Sequence, residues 1–270
     1  VGTGGEMTAQ KKEKGGSGGG VPEGPVELIV LGSGDAFGSG GRNHTAFLVH
    51  LPSWGFLLDC GATTLITLKR LNLDPGAIGA ILISHLHGDH MSGIPFLFLQ
   101  YQFLTQRDEP LIIAGPPGTE QCIEGLWGLM YKETREMMPR RFTVQYLELE
   151  PKKWTRIGPI EAFPLEVVHH LRDIPYGYKV KAGGKVLGYS GDTEWTDNLI
   201  DLAEDCDLFI CESYRYDRKI RFHMSYEDIR AHRSALKCKR LLLTHLHADA
   251  LARLQDFEDE VAYDGMRLRL

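Results

Sequence analysis

Four side chains of metal-ligand type, His85, His87, Asp89 and His90, fall within six residues of one another at the end of the run Gly-Ala-Ile-Leu-Ile-Ser-His-Leu-His-Gly-Asp-His. Residues two apart on an extended chain face the same side, so His85 and His87 can bind one ion together. Gly88 permits a turn that carries Asp89 and His90 towards a second ion. Imidazole and carboxylate ligands without thiolates suit Zn²⁺, and also Mn²⁺ or Fe²⁺. A single histidine after a strand reads as a capping or solvated side chain. Four such residues together call for a site. Two later residues fit the same pattern: Asp192 follows KVLGYS, with Gly191 allowing a tight turn, and His245 ends RLLLT. Taken alone, each is an ordinary turn or capping residue.

The elements that must hold these residues are short apolar runs bounded by Gly, Pro and Asp. ELIVLG, TAFLVHL, WGFLLD, AILIS, LIIAG, TVQYLEL, EAFPLEVV, YGYKVKA, KVLGYS, DLFICE and RLLLTH read as strands. Helices are expected near 62–72, 92–105, 118–131, 196–204, 225–236 and 248–257, with Thr196 and Ser225 as N-caps for two of them. Gly183-Gly184 marks a hairpin return. Strand hairpins with interspersed helices predict an α/β fold, a four-layer sandwich with polar residues gathered where strands end. Residues 1–25 are Gly-rich and nearly free of large apolar groups, and read as a flexible tail, within which Met7 is a candidate start, before a single domain over 26–270. Pro95–Leu104 is intensely apolar and is expected in the core or in a homodimer contact.

Composition narrows the classes further. With 43% hydrophobic and 24% charged residues the chain can bury a core, which excludes global disorder. No apolar run approaches the roughly 18 residues that span a bilayer, so no membrane partner is expected. Five cysteines, never spaced CxxC, argue against a disulfide framework and a thiolate zinc knuckle, and place the protein in a reducing, cytoplasmic setting. A formal charge of −6 offers no global attraction to nucleic acid. Ala114-Gly-Pro-Pro-Gly-Thr119 has no Lys-Ser/Thr after it and reads as a strand-to-helix turn, and Ser190 lacks the frame of a nucleophile elbow.

The motif His85-x-His87-x-Asp89-His90 after an apolar strand resembles that of the metallo-β-lactamase superfamily, and the wider pattern resembles its ribonuclease Z-like phosphodiesterase branch. The likeness runs from about Val26 to Leu254. It includes Leu31-Gly-Ser-Gly-Asp-Ala-Phe with Arg42-Asn43, Gly188-Tyr-Ser-Gly-Asp192-Thr193, and Leu241-Leu-Leu-Thr-His245. The resemblance implies the αββα metallo-β-lactamase fold and two divalent ions, zinc first, with manganese and iron as alternatives. His85, His87 and a third histidine would hold one ion, Asp89, His90 and His245 the other, and Asp192 would bridge. In Leu165-Glu-Val-Val-His169-His170 the third histidine is read as His169, which continues the phase of Phe163, Leu165 and Val167, with His170 as the alternative.

The same resemblance implies that His223 contacts the scissile phosphate and that Glu212 orients it, with Asp89 steering the attacking hydroxide. Arg215, Arg218, Lys219 and Arg221 make the loop between Glu212 and His223 basic, which favours an anionic substrate, and Tyr214, Tyr216 and Phe222 are placed to stack or to pack. The expected activity is a metal-dependent phosphodiesterase on a small or cyclic phosphodiester. The tRNA-gripping arm of the family lies between the third histidine and the bridging aspartate. Here the interval 170–191 is filled by YGYKV and KVLGYS, so tRNA 3′-processing endonuclease activity, with RNA as partner, is the alternative. A lactonase or thioesterase and a non-catalytic ligand-binding module are the remaining readings.

Overall fold

Val, Ile, Leu and aromatic side chains favour the pleated, buried surface of a sheet, and the expected runs form strands. The computed structural model describes residues 24–170 and 173–270, so the tail expected over 1–25 lies outside the described residues but for Gly24 and Pro25. Six strands come first: β1 (Glu27–Gly32), β2 (Ala46–Leu51), β3 (Trp54–Leu58), β4 (Ile78–Leu82), β5 (Leu111–Gly115) and β6 (Val144–Glu148). Then follow β7 (Thr155–Ile157), β8 (Ile160–Glu166), β9 (Tyr176–Ala182), β10 (Lys185–Tyr189), β11 (Leu208–Glu212), β12 (Leu241–Thr244), β13 (Glu260–Val261) and β14 (Arg267–Arg269). They pair in two sheets, ordered β14-β1-β2-β3-β4-β5-β6 and β13-β12-β11-β10-β9-β8-β7. The helices are α1 (Thr64–Arg70), α2 (Gly88–Met91), α3 (Ile94–Phe103), α4 (Thr119–Met130), α5 (Lys132–Met137), α6 (Asn198–Ala203), α7 (Tyr226–His232) and α8 (Ala248–Leu251).

Strands that are apolar at every position must bury both faces, and period-two alternation divides them between different cores. Leu28, Val30, Phe56 and Leu58 of the first sheet meet Tyr178, Val180, Leu187 and Ile210 of the second, forming the core between the sheets. The intervening residues Ile29, Leu31, Leu57 and Ile81 turn outward against Leu68 of α1, Leu97 and Phe98 of α3 and Trp127 of α4. Phe209, Cys211, Leu241 and Leu243 likewise pack on Leu199 and Leu202 of α6 and Ile229 of α7. Three apolar interfaces define four layers. This is the αββα sandwich expected from the strand pattern and the motif.

Each sheet is antiparallel on one side and parallel on the other. β3, β4, β5 and β6 run parallel, as do β10, β11, β12 and β13. Ligands of α/β sheets collect outside the carboxyl ends of parallel strands, and here β4, β10, β11 and β12 end at Leu82, Tyr189, Glu212 and Thr244. Tyr176 N donates to the Ser84 carbonyl at 2.8 Å and Tyr178 Oη to the Ile83 carbonyl at 2.7 Å, tying the second sheet to the end of β4. The β9–β10 hairpin turns through Gly183 and Gly184, both at positive φ, the conformation a tight two-residue connection requires.

Several local expectations change. Gly88 opens the four-residue helix α2 rather than a simple turn, so Asp89 and His90 leave the extended chain on a helical turn. Asp197, not Thr196, sits at the N-cap of α6 and makes no side-chain cap bond, while the Thr196 carbonyl accepts from Leu199 N. Ser225 does cap α7, in a reciprocal capping box with Asp228. Most of Pro95–Leu104 packs in the core, through Leu97, Phe98 and Tyr101, leaving Phe103 and Leu104 at the surface. No helix among the described residues is long and apolar enough to cross a membrane.

Candidate metal centre

The residues singled out in the sequence converge from five elements. His85 and His87 follow β4, Asp89 and His90 lie on α2, His169 follows β8, Asp192 follows β10 and His245 follows β12. Donor atoms of His85, His87 and His169 lie within 4.8 Å of one another, as do those of Asp89, His90, Asp192 and His245. Asp192 joins the two groups: its Oδ2 is 3.2 Å from Nε2 of His90 and of His245, 3.8 Å from that of His169 and 4.0 Å from that of His85. The third histidine follows strand phase. Val167 and His169 are buried while Val168 between them is exposed, and His169 Nε2 approaches His87 Nδ1 to 3.0 Å. His170 falls outside both groups, its Nδ1 accepting from Asp173 N at 3.1 Å.

Hydrogen bonds on the far side of each ring decide which nitrogen faces the centre. Ser84 Oγ donates to Asp59 Oδ2 at 2.7 Å, so at His85 Nδ1, 3.0 Å away, it accepts. Thr45 Oγ1 donates to the Gly34 carbonyl and accepts from His245 Nδ1, both at 3.0 Å. His90 Nδ1 donates to Asp59 Oδ2 at 2.7 Å, and His169 Nδ1 to the Phe222 carbonyl at 2.8 Å. In all four rings Nε2 is turned inward, the arrangement that outer hydrogen bonds impose on metal-ligating histidines. His85 Nε2 and His90 Nε2 are buried with no hydrogen-bond partner among the described residues. Buried ring nitrogens without partners are costly, and two of them beside one carboxylate fit a divalent cation.

The electrostatics agree. Burial pushes the His85 imidazole well below the usual histidine range, and His90, His169 and His87 push it the same way against Asp192. Burial likewise lowers His169, to about 4, although Asp192 and the Phe222 carbonyl oppose it. These rings stay neutral and keep their lone pairs. Burial also opposes the charged forms of Asp192 and His90, yet their neighbours prevail: His245, His90 and His85 hold Asp192 well below the carboxylate range, and Asp192, Asp89 and Asp59 hold His90 well above the histidine range. In the protein without cations, a proton on His90 balances the acidic cluster. Binding a cation there would displace it.

Asp59 was not singled out in the sequence, where it reads as the end of WGFLLD. Fully buried, it accepts from Ser84 N, Ser84 Oγ and His90 Nδ1, each at 2.7 Å, and from Tyr189 Oη at 2.6 Å. It thereby sets the end of β4 and the tilt of the His90 ring. Asp59→Asn is expected to weaken divalent-metal affinity about 10- to 100-fold, read by competition with a chromogenic chelator. Wild-type affinity in that variant would show that the bonds are incidental. Asp59, Phe222 and His245 all have positive φ, a conformation costing about 1–3 kcal/mol each in non-glycine residues and met chiefly where a site demands it.

Gly191, which precedes Asp192, has φ +59°, and a Cβ there would sit 2.8 Å from the Tyr176 carbonyl. Gly191→Ala should therefore cost about 2 kcal/mol in urea unfolding and lower metal content. An unchanged midpoint would mean that this turn carries no constraint.

Beside the centre, Glu212 at the end of β11 accepts from His223 Nδ1 at 3.1 Å and from the backbone N–H of Thr193. Burial lifts the Glu212 carboxyl to about 7, against the pull of His223. Burial alone would depress His223, but the Glu212 charge and hydrogen bond outweigh it and raise the imidazole to about 9. Tyr214 stacks on the His223 ring at 4.5 Å between centroids, fixing its plane. The basic loop is less basic than its composition: Arg215 pairs with Asp249 and Lys219 with Asp228. Tyr216 is buried against Tyr226 and Phe257. Arg42 and Asn43, part of the family likeness, are structural, bonding Ser33 Oγ and the Leu31 carbonyl.

Two facing sheets whose strand ends gather histidines and aspartates around one carboxylate define a ribonuclease Z-like, metal-dependent hydrolase of the metallo-β-lactamase superfamily. The family described as anti-Pycsar protein Apyc1 matches residues 26–263, and the chain belongs to it. Ribonuclease Z of Methanothermobacter thermautotrophicus is 29% identical over 266 residues, covering 82% of this chain and 86% of its own length. Among solved structures, the metallo-β-lactamase fold protein YhfI from Bacillus subtilis shares the fold with a TM-score of 0.72 and 21% identity, covering 92% of this chain and 100% of that one. Human tRNase Z, short form, does so at 0.70 and 22% identity, covering 90% and 98%.

Proposed function

We propose that the protein is a phosphodiesterase acting on a small or cyclic phosphodiester. His85, His87 and His169 would hold one divalent cation and Asp89, His90 and His245 a second, with Asp192 between them; the donor set suits Zn²⁺ ahead of Mn²⁺ or Fe²⁺. Cations bound there supply Lewis acidity, acidifying a water and neutralising the phosphoryl oxygens. Asp89, whose side chain is more open than that of Asp192, orients the attacking water. That water, having released one proton to solvent, adds to phosphorus as the bond to the leaving oxygen breaks, and the His223 proton passes to that oxygen, with Glu212 holding the ring in place.

The observation that carries this reading is the Glu212–His223 pair at 3.1 Å, with His223, His169 and Asp192 donor atoms within 4.8 Å of one another. A proton donor beside the metal ligands suits expulsion of an alkoxide, and a lactonase or thioesterase has less need of it. The curated relatives are named ribonuclease Z, which keeps tRNA processing as the second reading. Against it, the chain between His169 and Asp192 includes the tight β9–β10 hairpin, with no space for an extended arm. The free thiols of all five cysteines fit a cytoplasmic setting. The test is hydrolysis of bis-p-nitrophenyl phosphate and cyclic nucleotides, against a precursor tRNA and a lactone panel, with Zn²⁺ and Mn²⁺ compared. Turnover of the lactones or the tRNA alone would refute the proposal.

A further inference from the structure

We infer that Asp264, in the connection before the last strand, is a positioning residue for the second cation: it fixes two backbone carbonyls that set His245, so that its loss releases one ion and spares the other. The inference rests on the assignment of metal ligands above. The segment from Ala262 to Met266 crosses from the second sheet to the first. Ala262 N donates to the Leu243 carbonyl of β12 at 2.8 Å, Gly265 N to the Val30 carbonyl of β1 at 2.8 Å, and Val30 N to the Met266 carbonyl at 2.9 Å. Asp264 is thereby held between the two strands whose ends meet at His245.

A single loop occupies its carboxylate. Oδ1 accepts from Ser33 N at 2.9 Å and Ser33 Oγ at 2.8 Å, and Oδ2 from Asn43 N at 2.7 Å. These bonds join the two ends of the loop 33–43, which Gly34 N closes by donating to the Asn43 carbonyl at 2.8 Å. Ser33 Oγ in turn accepts from Arg42 at 3.0 Å, and Arg42 also bonds the Ala262 carbonyl. The loop so held presents two carbonyls towards His245. That of Ser33 accepts from His245 N at 3.1 Å. That of Gly34 accepts from Thr45 Oγ1 at 3.0 Å, which leaves the Thr45 oxygen to accept from His245 Nδ1 at 3.0 Å. His245 has φ +60°, a conformation that a non-glycine residue keeps only where its surroundings hold it. Its backbone and its ring therefore both depend on the grip of Asp264. Two histidines of the other group are braced elsewhere, His85 by Ser84 and His169 by the Phe222 carbonyl. Asp264→Asn keeps the shape of the side chain, removes its charge and turns an NH₂ group towards an N–H donor.

The test is Zn²⁺ binding to the full chain, read by competition with a chromogenic chelator and by elemental analysis at fixed free Zn²⁺. The wild type should hold two ions. Asp264→Asn should hold one with unchanged affinity and the other about 10- to 100-fold more weakly. Ser33→Ala, which removes one of the three bonds and adds no bulk, should show the same one-sided loss at about threefold. If Asp264→Asn does not fold, Ser33→Ala decides on the same split. Arg267→Ala breaks only the ion pair with Glu27 further along the same segment, and should bind both ions as the wild type does. Equal weakening of both ions in the Asp264 and Ser33 variants, or none, overturns the positioning role and leaves the metal assignment standing. A wild type that binds no Zn²⁺ refutes that assignment, and the inference falls with it.

Discussion

Asp192→Ala is expected to lower phosphodiester kcat/KM by about a thousandfold or more and to reduce bound metal, while the chain still folds. The reason is geometric. One carboxylate oxygen lies within 4.0 Å of inward-facing nitrogens on His85, His90, His169 and His245, four residues delivered by four different elements. Removing it takes away a carboxylate that lies within 4.0 Å of nitrogens in both groups of donors, and with it a counter-charge for any cation between them. Each factor of ten corresponds to about 1.4 kcal/mol of transition-state stabilisation, and a Lewis-acid centre supplies several kcal/mol. The carboxylate is polar and lies at a strand end, so the three apolar interfaces are untouched, and circular dichroism should remain that of the wild type. His85→Ala should behave alike. Full turnover by either variant with unchanged metal content, measured by elemental analysis on the same sample, would refute the assignment of the centre.

His223→Ala should cost about 10²- to 10⁴-fold in kcat with metal content retained, the usual worth of a positioned proton donor. The loss should be larger for substrates that expel an alkoxide than for bis-p-nitrophenyl phosphate, whose leaving group needs no proton. The pH dependence follows from the raised pKa of about 9. The protonated ring is the active form, so it persists through neutral pH, and the rate that depends on it declines as pH rises through about 9. Glu212 supplies the charge and hydrogen bond that oppose the effect of burial, so Glu212→Gln should move the alkaline limb of kcat to lower pH. A limb that stays in place in that variant would assign it to another group, and equal losses on both leaving groups would deny His223 the role of proton donor.

Much of this site was legible along the chain because its residues stand where apolar runs stop. Ser84 to His90, Asp192 and His245 each follow the end of a strand, and the phase of β8 favours His169 over His170. The Ser225 cap was equally local. Other features depend on residues distant in sequence. Asp59 bonds Ser84, His90 and Tyr189, residues far away in sequence, and nothing in WGFLLD announces an acceptor for them. β13 and β14 are two and three residues long and take their pairing from β12 and β1, so they carry no periodicity of their own. Composition also overstated the charge of the loop after Glu212, because Asp249 and Asp228, which neutralise Arg215 and Lys219, come from α8 and α7.

By itself, then, the order of residues determined the layers of the sandwich and which side chains of ligand type stand where strands stop, because alternation and strand ends are properties of neighbours. Only the tertiary structure decided which ring nitrogen faces inward and which cations remain unpaired. Those outcomes depend on hydrogen bonds and charges between atoms that become adjacent only when two sheets pack face to face.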